Sequence, residues 1–427
     1  MLTLKIITEN QDEVVRLLAK KHFDAKEITD QIITLDAVRR SSQLALDAGL
    51  TEVNRLSKTI GGLMKEGKVA EAEAAKAQVA GLKEKSKSLE AAKAGAEAEI
   101  QECLMLIPNL PHESVPEGKG AGDNVCERTG GTAPKLPDDA LPHWDLAKKY
   151  GLIDFEAGVK ITGAGFPVYR GYGARLQRAL VDFFLDSARE AGYEEVEPPY
   201  LVNADSGYGT GQLPDKEGQM YHAGLDNLYL IPTAEVPVTN MYRDVILNES
   251  ELPVRNAAYS ACFRREAGSY GKEVRGLNRL HQFNKVEIVC IDKPERSYRT
   301  LGEMVDYVQS LLEKLELPWR ILRLCGGDLG FTSALTFDFE VFSAAQKRWL
   351  EVSSVSNFES YQANRLKCRY RDENKRTQLC HTLNGSALAL PRVVAALLEN
   401  NQLPEGIRIP GALTPYTGFE RITLTHA

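Results

Sequence analysis

A seven-residue repeat of apolar side chains runs through two stretches near the start of the chain and limits what they can form. The repeat is carried first by Ile28, Ile32, Leu35, Leu46, Val53, Leu56, Ile60 and Leu63, and then by Val79, Leu82, Leu89, Ala96, Ile100, Cys103 and Ile107. Alternating steps of three and four residues are typical of a coiled-coil seam. Gly67 predicts a turn between the stretches, and Pro108 and Pro111 end the second. We therefore expect two antiparallel helices, each on the order of 50 Å long.

The middle of this seam is weak, because Arg39, Ser42 and Gly49 occupy its positions and none of them is a good core residue. By itself the pattern favours a dimerisation element or a spacer. The polar faces also carry basic side chains that could bind phosphates, among them Arg39, Arg40, Lys83, Lys85 and Lys87. From the residues alone, both interpretations stay open.

The composition narrows the class of protein. The chain has 427 residues, enough for two or three domains, and its formal net charge is −7, which argues against a wholly basic nucleic-acid coat but allows local basic patches. No stretch approaches the ~18 consecutive apolar residues of a membrane span, and the N-terminus lacks signal-peptide features. Seven cysteines without a Cys-x-x-Cys pair indicate reduced thiols and no zinc site. We expect a soluble, cytoplasmic protein that binds neither DNA nor a membrane.

The chain divides near residue 108, where a segment rich in Gly, Pro and Asp begins. We expect a helical arm over residues 1–110 and an α+β domain, an antiparallel sheet flanked by helices, over residues 111–427. The elements that we predict in the second part are a helix ending at Gly192, a strand EEVEPPYLV, a short run, turn and helix in NLYLIPTAEVPVTNMYRD, a helix from Ser297 to Leu315, antiparallel strands TFDFEVF and WLEVSSVSNF, and a strand-to-helix unit HTLNGSALALPRVVAALLEN. Phosphate-loop and dinucleotide-binding glycine motifs are absent from the sequence.

The segment CFRREAGSYGKEVRGLNRLHQF is unusually charged for a pair of strands. If residues 256–266 and 279–291 are strands, alternation places Arg264 and Glu266 on one face and Arg265 on the other. Phe283, Lys285 and Glu287 then share a face, opposite the apolar face of Val286, Ile288 and Cys290, which should pack on helices. Such a charged face is costly unless a ligand or an ion-pair network satisfies it. A salt-bridged surface hairpin and a ligand site are both open at this point.

The sequence is similar to a known family in several ordered strings. FRREAG…RGLNRLHQF resembles motif 2 of the class II aminoacyl-tRNA synthetases, GYEEVEPPYLV resembles motif 1, and LNGSALALPRVVAALLEN resembles motif 3. With TGQLP, IPTAEVPVTN, HQFNKVEIV and EVSSVSNFESYQANRLKCRYR, the full set resembles the seryl-tRNA synthetases over essentially the whole chain. The resemblance implies an enzyme that activates L-serine with ATP and transfers it to the 3′ end of tRNA(Ser), and also of tRNA(Sec).

The resemblance also implies roles for residues. Arg264 and Arg392 would be catalytic: the first would hold the α-phosphate and the serine carboxylate, and the second the far phosphates. The positions implied for ATP are Arg264, Arg265, Glu266, Phe283, Glu351, Val352, Ser353, Ser354 and Arg392, with Phe283 stacking on adenine. The positions implied for serine are Thr233, Ala234, Glu235, Arg264, Glu287, Asn384 and Ser386. A pocket of matched donors and acceptors would reject alanine strongly and threonine less strongly.

Mg²⁺ is the implied metal, bound with ATP by Glu351 and Ser354. Strand alternation puts these two residues on opposite faces, so we expect a local irregularity between them. The family usually has glycine before the motif 3 arginine, whereas this chain has Pro391. Proline is tolerated in the first turn of a helix, so we expect that helix to begin near Leu388.

The resemblance gives the arm and the loop a function as well. The helical hairpin would lie against the long variable arm of tRNA(Ser), recognised by shape and backbone, and a homodimer would let the arm of one subunit serve tRNA on the other. The loop AGSYGKEVRGLN would be a mobile loop near the tRNA acceptor end. Two other hypotheses are a paralogue that activates a small amino acid but loads a carrier protein, which the long arm disfavours, and a non-enzymatic coiled-coil scaffold or RNA-binding module. The presence of Arg264, Glu287, Glu351 and Arg392 disfavours the scaffold.

Overall fold

The computed structural model describes residues 1–215, 218–266 and 275–424. Two compact units make up the chain. One comprises Met1–Ala19 and Phe23–Pro108, and the other comprises Lys20–His22 and Asn109–Ala427. Within the described residues, no helix is both long enough and apolar enough to cross a bilayer.

The first unit is helical. Its helices are α1 (Leu4–Glu9), α2 (Gln11–Ala19), α3 (Lys26–Lys65) and α4 (Val69–Leu106). The two long helices confirm the predicted hairpin, and at 1.5 Å per residue each is about 60 Å long. Gly49 of α3 lies against Ser86 of α4, since a Cβ on Gly49 would be 3.6 Å from Ser86 Oγ. The two residues are almost equally far from Gly67 in sequence, so the helices run antiparallel. The short helices α1 and α2 were not predicted, because they lie outside the heptad pattern.

The seam of the hairpin follows the predicted register, with Ile32, Leu56, Ile100 and Cys103 buried. Its weak middle is polar. Ser42 is buried there, and Asp36, which the heptad pattern did not select, is only 3% exposed. The Asp36 carboxylate contacts two arginines of its own helix: Arg39 Nη2 lies 2.7 Å from Oδ1, and Arg40 Nε lies 2.6 Å from Oδ2. These ion pairs satisfy the buried charge that apolar packing cannot.

The second unit is an α+β domain. Its helices are α5 (His143–Lys149), α6 (Phe155–Ile161), α7 (Gly171–Glu190), α8 (Ala204–Thr210), α9 (Glu235–Asn240), α10 (Ser297–Lys314), α11 (Ser360–Leu366), α12 (Leu390–Asn400) and α13 (Thr414–Thr417). Its longer strands are β1 (Val125–Gly130), β9 (Val254–Phe263), β10 (Gln282–Asp292), β11 (Trp319–Arg323), β12 (Leu335–Ser343), β13 (Arg348–Asn357) and β16 (His381–Ala389). Its short strands are β2 (Ile153–Asp154), β3 (Val168–Tyr169), β4 (Glu194–Glu195), β5 (Leu201–Val202), β6 (His222–Ala223), β7 (Leu228–Leu230), β8 (Ile246–Asn248), β14 (Arg369–Arg371), β15 (Thr377–Leu379), β17 (Gln402–Leu403), β18 (Gly406–Arg408) and β19 (Arg421–Ile422).

The main sheet has, within the described residues, eight strands in the order β1-β11-β12-β13-β16-β10-β9-β4. All neighbouring pairs are antiparallel except β4 with β9. The apolar sides of the strands and of α7, α10 and α12 form one core. Val286, Ile288 and Cys290 belong to that core, so the predicted apolar face is confirmed. The opposite face of the central strands is left for polar side chains.

Most predicted elements of this unit are present, with shifted ends. The helices α7 and α10, the strands β12 and β13, and the β16-to-α12 unit lie where the patterns placed them. The strand EEVEPPYLV is wrong over its middle, since only Glu194–Glu195 and Leu201–Val202 pair. Pro198 and Pro199 lie between those ends, and proline cannot donate to a ladder.

Candidate active site

A cavity of about 370 Å³ opens on the polar face of the main sheet, where β13, β16, β10 and β9 lie side by side. The start of α12 and the turn before α9 complete its wall. Most of the predicted site residues line it, namely Thr233, Glu235, Arg264, Glu266, Phe283, Glu287, Glu351, Val352, Ser353, Ser354, Asn384, Ser386 and Arg392. Ala234 and Arg265 do not line it. The sequence-predicted residues therefore meet around one cavity of nucleotide size.

The charged hairpin, β9 and β10, supplies one wall. Phe263 pairs with Gln282, and β9 ends there, so the predicted strand 256–266 was too long at its C-terminal end. Arg264 and Glu266 still reach the cavity, whereas Arg265 does not and donates its backbone N–H to the carbonyl oxygen of Gln219 at 2.9 Å. Residues 267–274, most of the predicted mobile loop, lie outside the described residues.

Arg264 and Phe283 lie together at the base of the hairpin. The guanidinium carbon of Arg264 is 5.2 Å from the centre of the Phe283 ring, within cation–π distance. Arg264 Nε donates to the carbonyl oxygen of Pro232 at 3.4 Å. Glu266 accepts from Arg279 Nη1 at 2.7 Å. A flat ring beside a planar cation is suited to a ligand that has an aromatic base and phosphates.

A buried ion pair lies deeper in the cavity. Lys285 Nζ is 2.5 Å from Glu287 Oε2, and the two side chains are only 6% and 3% exposed. The same ammonium donates to Thr233 Oγ1 at 2.8 Å, and Ser386 Oγ donates to Glu287 Oε2 at 3.4 Å. Lys285 and Glu287 share a face because they are two residues apart on β10. Ser386 lies opposite Glu287 on β16.

Glu235 is the second buried carboxyl, at the first position of α9. Its Oε1 accepts from Gln362 Nε2 at 2.7 Å. Burial and the neighbouring Glu287 charge raise the pKa of Glu235 to about 7, against the smaller opposing effects of Gln362, Lys285 and Arg264. Asn384 contributes an unsatisfied donor, because its buried Nδ2 has no hydrogen-bond partner in the described residues. The deep end of the cavity thus lacks a cation for Glu235 and an acceptor for Asn384.

The predicted irregularity beside Glu351 is present as a β-bulge. The register between β12 and β13 shifts, so that Glu340 pairs with Glu351, Phe339 with Ser353 and Asp338 with Ser354. Val352 is the extra residue. Asp338 and Glu340 are two apart on β12 and share a face, so their partners Ser354 and Glu351 share that face too. The bulge therefore aligns the two predicted metal ligands.

Asp338 lies behind this pair. Its Oδ1 is buried without a hydrogen-bond partner in the described residues, and Ser354 bonds to the same carboxyl. Burial first, and then the Glu351 charge, raise the pKa of Asp338 well above its ordinary value. An unpaired buried carboxyl next to a glutamate and a hydroxyl is an oxygen-rich setting that suits Mg²⁺. The described residues contain no group of three or more His, Cys, Asp or Glu side chains placed to hold a metal, so Mg²⁺ here would depend on ligand oxygens and water as well.

Arg392 lies at the other end of the cavity, in the first turn of α12. This helix begins at Leu390 rather than near Leu388, because β16 continues to Ala389, whose backbone is extended. Pro391 is therefore within the first turn, where its missing N–H costs nothing. Arg392 donates to the backbone carbonyls of Glu351 (2.8 Å) and Asn278 (3.0 Å), so its side chain is aimed across the cavity.

Sequence reasoning gave no role to several residues of this site. Lys285, Asn278 and Arg279 line the cavity, Gln362 bonds Glu235, and Asp338 bonds Ser354. Strand alternation did predict that Lys285 shares a face with Glu287, and that face lines the cavity. The partnership of Gln362 with Glu235 joins positions 127 residues apart, and no local pattern could have found it.

This arrangement can bind a ligand that carries both signs of charge. Arg264 and Arg392 present guanidinium groups for phosphates or carboxylates, and Glu235 presents a carboxyl for an ammonium or a hydroxyl. The geometry supports catalysis by positioning and charge stabilisation of two ligands brought together.

Comparisons with known proteins agree over the whole length of the chain. A family model described as "Seryl-tRNA synthetase N-terminal domain" matches residues 1–111, and one described as "tRNA synthetase class II core domain (G, H, P, S and T)" matches residues 220–401. The protein named "Serine--tRNA ligase" of Salinibacter ruber is 51% identical over 424 residues, or 99% of each chain. The protein of the same name from Akkermansia muciniphila is 46% identical over 424 residues, again 99% of each.

A solved structure gives the same result for the fold. The crystal structure of seryl-tRNA synthetase from Pyrococcus horikoshii, complexed with ATP, matches with a TM-score of 0.95. Sequence identity is 33%, and the match covers 100% of both chains.

Proposed function

Because this chain belongs to the seryl-tRNA synthetase family of class II aminoacyl-tRNA synthetases, we propose that it activates L-serine with ATP to seryl-adenylate and then transfers serine to the 3′ end of tRNA(Ser). As a member of that family the chain is an enzyme, a serine–tRNA ligase. The steps of the reaction, its substrates on this chain and the roles of its residues are the content of the proposal.

One observation carries the proposal for serine: a carboxyl without a cation and an amide donor without an acceptor line the same cavity. Within the described residues, Glu235 accepts a hydrogen bond from the neutral Gln362, and Asn384 Nδ2 has no hydrogen-bond acceptor. Serine offers an ammonium and a hydroxyl, so it can satisfy both groups. Alanine offers the ammonium alone and would leave buried polar groups unpaired, which is the strongest kind of rejection.

In the first step, the serine carboxylate attacks the α-phosphorus of ATP, and pyrophosphate leaves. Arg264 would lie between the two anions and reduce their repulsion, while Phe283 and Glu266 would hold adenine and Arg392 the far phosphates. Pocket residues orient the serine, so that the carboxylate approaches in line with the leaving group. No enzyme nucleophile is needed, because the substrate supplies it.

In the second step, a hydroxyl of the terminal ribose of tRNA attacks the carbonyl carbon of seryl-adenylate, and AMP leaves. Arg264 remains placed to stabilise the negative charge that develops near the α-phosphate. The pocket keeps the ammonium and the hydroxyl of the seryl group bound, so the carbonyl stays where the ribose can reach it.

Glu351 and Ser354 would hold Mg²⁺. The bulge gives them a common face, and Oδ1 of Asp338 lies behind Ser354 without a hydrogen-bond partner in the described residues, so this oxygen-rich setting fits the ion. When bound, Mg²⁺ would neutralise phosphate charge. The contribution of this chain is to fix both oxygen ligands on one strand, next to Arg392.

We propose that residues 1–110 form the tRNA-binding arm and residues 111–427 the catalytic domain. The match of the N-terminal family model to residues 1–111 supports this division. The polar faces of α3 and α4 suit recognition of the tRNA backbone by shape. The family resemblance extends the substrates to tRNA(Sec), and the resemblance of the motif 1 segment supports a homodimer. The free cysteines support a cytoplasmic location.

The test is amino-acid-dependent exchange of pyrophosphate into ATP, followed by charging of tRNA(Ser). We expect exchange with serine, weak exchange with threonine and very weak exchange with alanine. Absence of serine-dependent exchange in a folded protein would overturn the proposal. Exchange without charging of tRNA(Ser) would instead favour an enzyme that loads a carrier protein.

A further inference from the structure

Lys285 has no role in the reaction proposed above, yet it is one of the most buried charges in the cavity. Its ammonium is held by Glu287 Oε2 at 2.5 Å and by Thr233 Oγ1 at 2.8 Å. Thr233 and Glu287 are both residues proposed to bind serine. A buried lysine is costly unless its partners are fixed, so this contact constrains how Glu287 can serve a substrate.

The two buried carboxyls of the cavity are not equivalent. Glu287 has a counter-ion in Lys285, whereas the hydrogen-bond partner of Glu235 in the described part of the chain is the neutral Gln362. The rise in the pKa of Glu235, caused by burial and by the Glu287 charge, is the electrostatic sign of that missing cation. An incoming ammonium therefore gains more beside Glu235 than beside Glu287, which already has one.

The two oxygens of Glu287 are also not equivalent. Lys285 and Ser386 both contact Oε2, and Oε1 has no partner in residues 1–215, 218–266 and 275–424. Asn384 and Ser386 are two residues apart on β16 and face the same way as Glu287 on the neighbouring strand. Within the described residues, this face of the sheet thus offers an open acceptor, Glu287 Oε1, and an open donor, Asn384 Nδ2, two residues further along the strands.

An acceptor and a donor on the same face match a hydroxyl, which can donate and accept, and do not match an ammonium, which only donates. From this geometry we propose that Lys285 is a positioning residue that makes the pocket selective for serine. Lys285 contacts Oε2 of Glu287, so Oε1 can accept a hydrogen bond from the serine hydroxyl. The substrate ammonium binds to Glu235. This inference rests on the proposed serine activation and adds which residue sets its selectivity.

The test compares Lys285→Met with wild type in pyrophosphate exchange with serine and with alanine. Methionine keeps most of the length of the side chain and removes its charge. We expect kcat/KM for serine to fall roughly 100-fold and that for alanine to change less than about threefold, because alanine does not use Glu287. The KM for ATP should stay within about twofold of wild type, since Lys285 would not touch ATP.

Lys293→Met is the matched control. Lys293 follows the end of the same strand and forms a more exposed ion pair with Glu249 at 2.7 Å, but it does not line the cavity. We expect this variant to keep the serine-to-alanine ratio of wild type. The double variant Lys285→Met with Glu287→Gln should match Glu287→Gln alone in activity toward serine and in selectivity, because the lysine acts through that glutamate.

Two further variants test the assignment even if Lys285→Met does not fold. Glu235→Gln should weaken serine and alanine by the same factor, since both carry an ammonium, whereas Glu287→Gln should weaken serine alone. Equal losses for the two amino acids in folded Lys285→Met, or the reverse pattern in the two glutamine variants, would overturn the inference. Failure of the underlying function looks different: wild type itself would then show no exchange with serine.

Discussion

His143 donates a hydrogen bond from Nδ1 to Oε1 of Glu399 at 2.7 Å, and neither side chain is exposed to solvent. Nε2 of the same ring accepts from the backbone N–H of Leu277 at 2.8 Å, so the ring is neutral. Glu399 lies near the end of α12, and Leu277 lines the active-site cavity. The His143 ring therefore links the segment around Leu277, which leads into β10, to the end of α12.

Replacing His143 with phenylalanine should destabilise the second unit and weaken ATP binding. The change leaves Glu399 and the N–H of Leu277 buried without this partner, at a cost of about 2–4 kcal/mol. Thermal unfolding and the KM for ATP in exchange would report both effects. His222→Phe is the control, because His222 is exposed and should change neither quantity. An unchanged melting temperature for His143→Phe would contradict the prediction.

The adjacent arginines of the charged hairpin should behave differently. Arg264→Ala should slow seryl-adenylate formation roughly 1,000-fold, because Arg264 lines the cavity and would meet the reacting anions. Arg265→Ala should slow it less than about tenfold, since Arg265 does not line the cavity. Single-turnover adenylate formation measures both, with circular dichroism to check folding. Equal losses in the two variants would show that the cavity has been assigned to the wrong arginine.

Shortening the helical hairpin should separate the two steps of the reaction. Arg39 and Ala96 lie at matching heights, because each is ten residues from the Gly49–Ser86 contact. Replacing residues 40–95 with a short glycine linker should keep both helix stumps in register. We expect serine-dependent exchange within about twofold of the full chain and tRNA(Ser) charging reduced more than about 100-fold. Loss of exchange in a folded truncated protein would contradict this division of labour.

Serine binding should strengthen as pH rises through neutrality. Glu235 has a pKa of about 7 in the folded protein, above its ordinary 4.5, and the charged groups around it are Glu287, Lys285 and Arg264. The KM for serine should fall about tenfold between about pH 6 and about pH 8, because the ionised carboxyl attracts the ammonium. Glu235→Gln should lose this dependence.

The same carboxyl has the opposite effect on folding. A raised pKa means that the folded chain keeps a proton that the unfolded chain releases. The stability due to protonated Glu235 is therefore full below about pH 4.5 and is lost as pH rises through about 7. Melting temperatures of wild type and Glu235→Gln should accordingly diverge on going from acid to neutral pH. A constant difference would contradict the assigned pKa.

Glu351→Gln should raise the concentration of Mg²⁺ needed for exchange, by roughly tenfold, because the amide removes the charge that attracts the ion. Binding of Mn²⁺ in the presence of ATP, followed by electron paramagnetic resonance, gives a readout independent of turnover. Glu340→Gln is the control, since Glu340 lies opposite Glu351 but is paired with Arg320. Equal Mn²⁺ affinity in wild type and Glu351→Gln would place the metal elsewhere.

Periodic patterns predicted the parts of this fold that repeat. The heptads gave α3 and α4, and strand alternation separated Arg264 from Arg265 and placed Lys285 beside Glu287. The periodic patterns failed where individual residues disfavoured the predicted strand or helix. Pro198 and Pro199 broke a predicted strand, and Ala389 stayed extended and delayed the start of α12.

Contacts between distant segments were beyond any local pattern. The neutral partner of Glu235 comes from α11, and the resulting pKa depends on burial that only the assembled sheet provides. The proposed role of Lys285 in selectivity likewise depends on which oxygen of Glu287 it contacts, and no sequence pattern indicates that.

The bulge at Val352 has a consequence for reading alignments of related genes. Deleting this one codon would leave Glu351 and Ser354 two residues apart on an ordinary strand, still on one face and still opposite Glu340 and Asp338. What such an indel removes is a side chain that packs in the core and belongs to a residue that also lines the cavity. A related protein that lacks this residue would therefore be expected to differ in thermal stability. It would keep Glu351 and Ser354, the two proposed Mg²⁺ ligands.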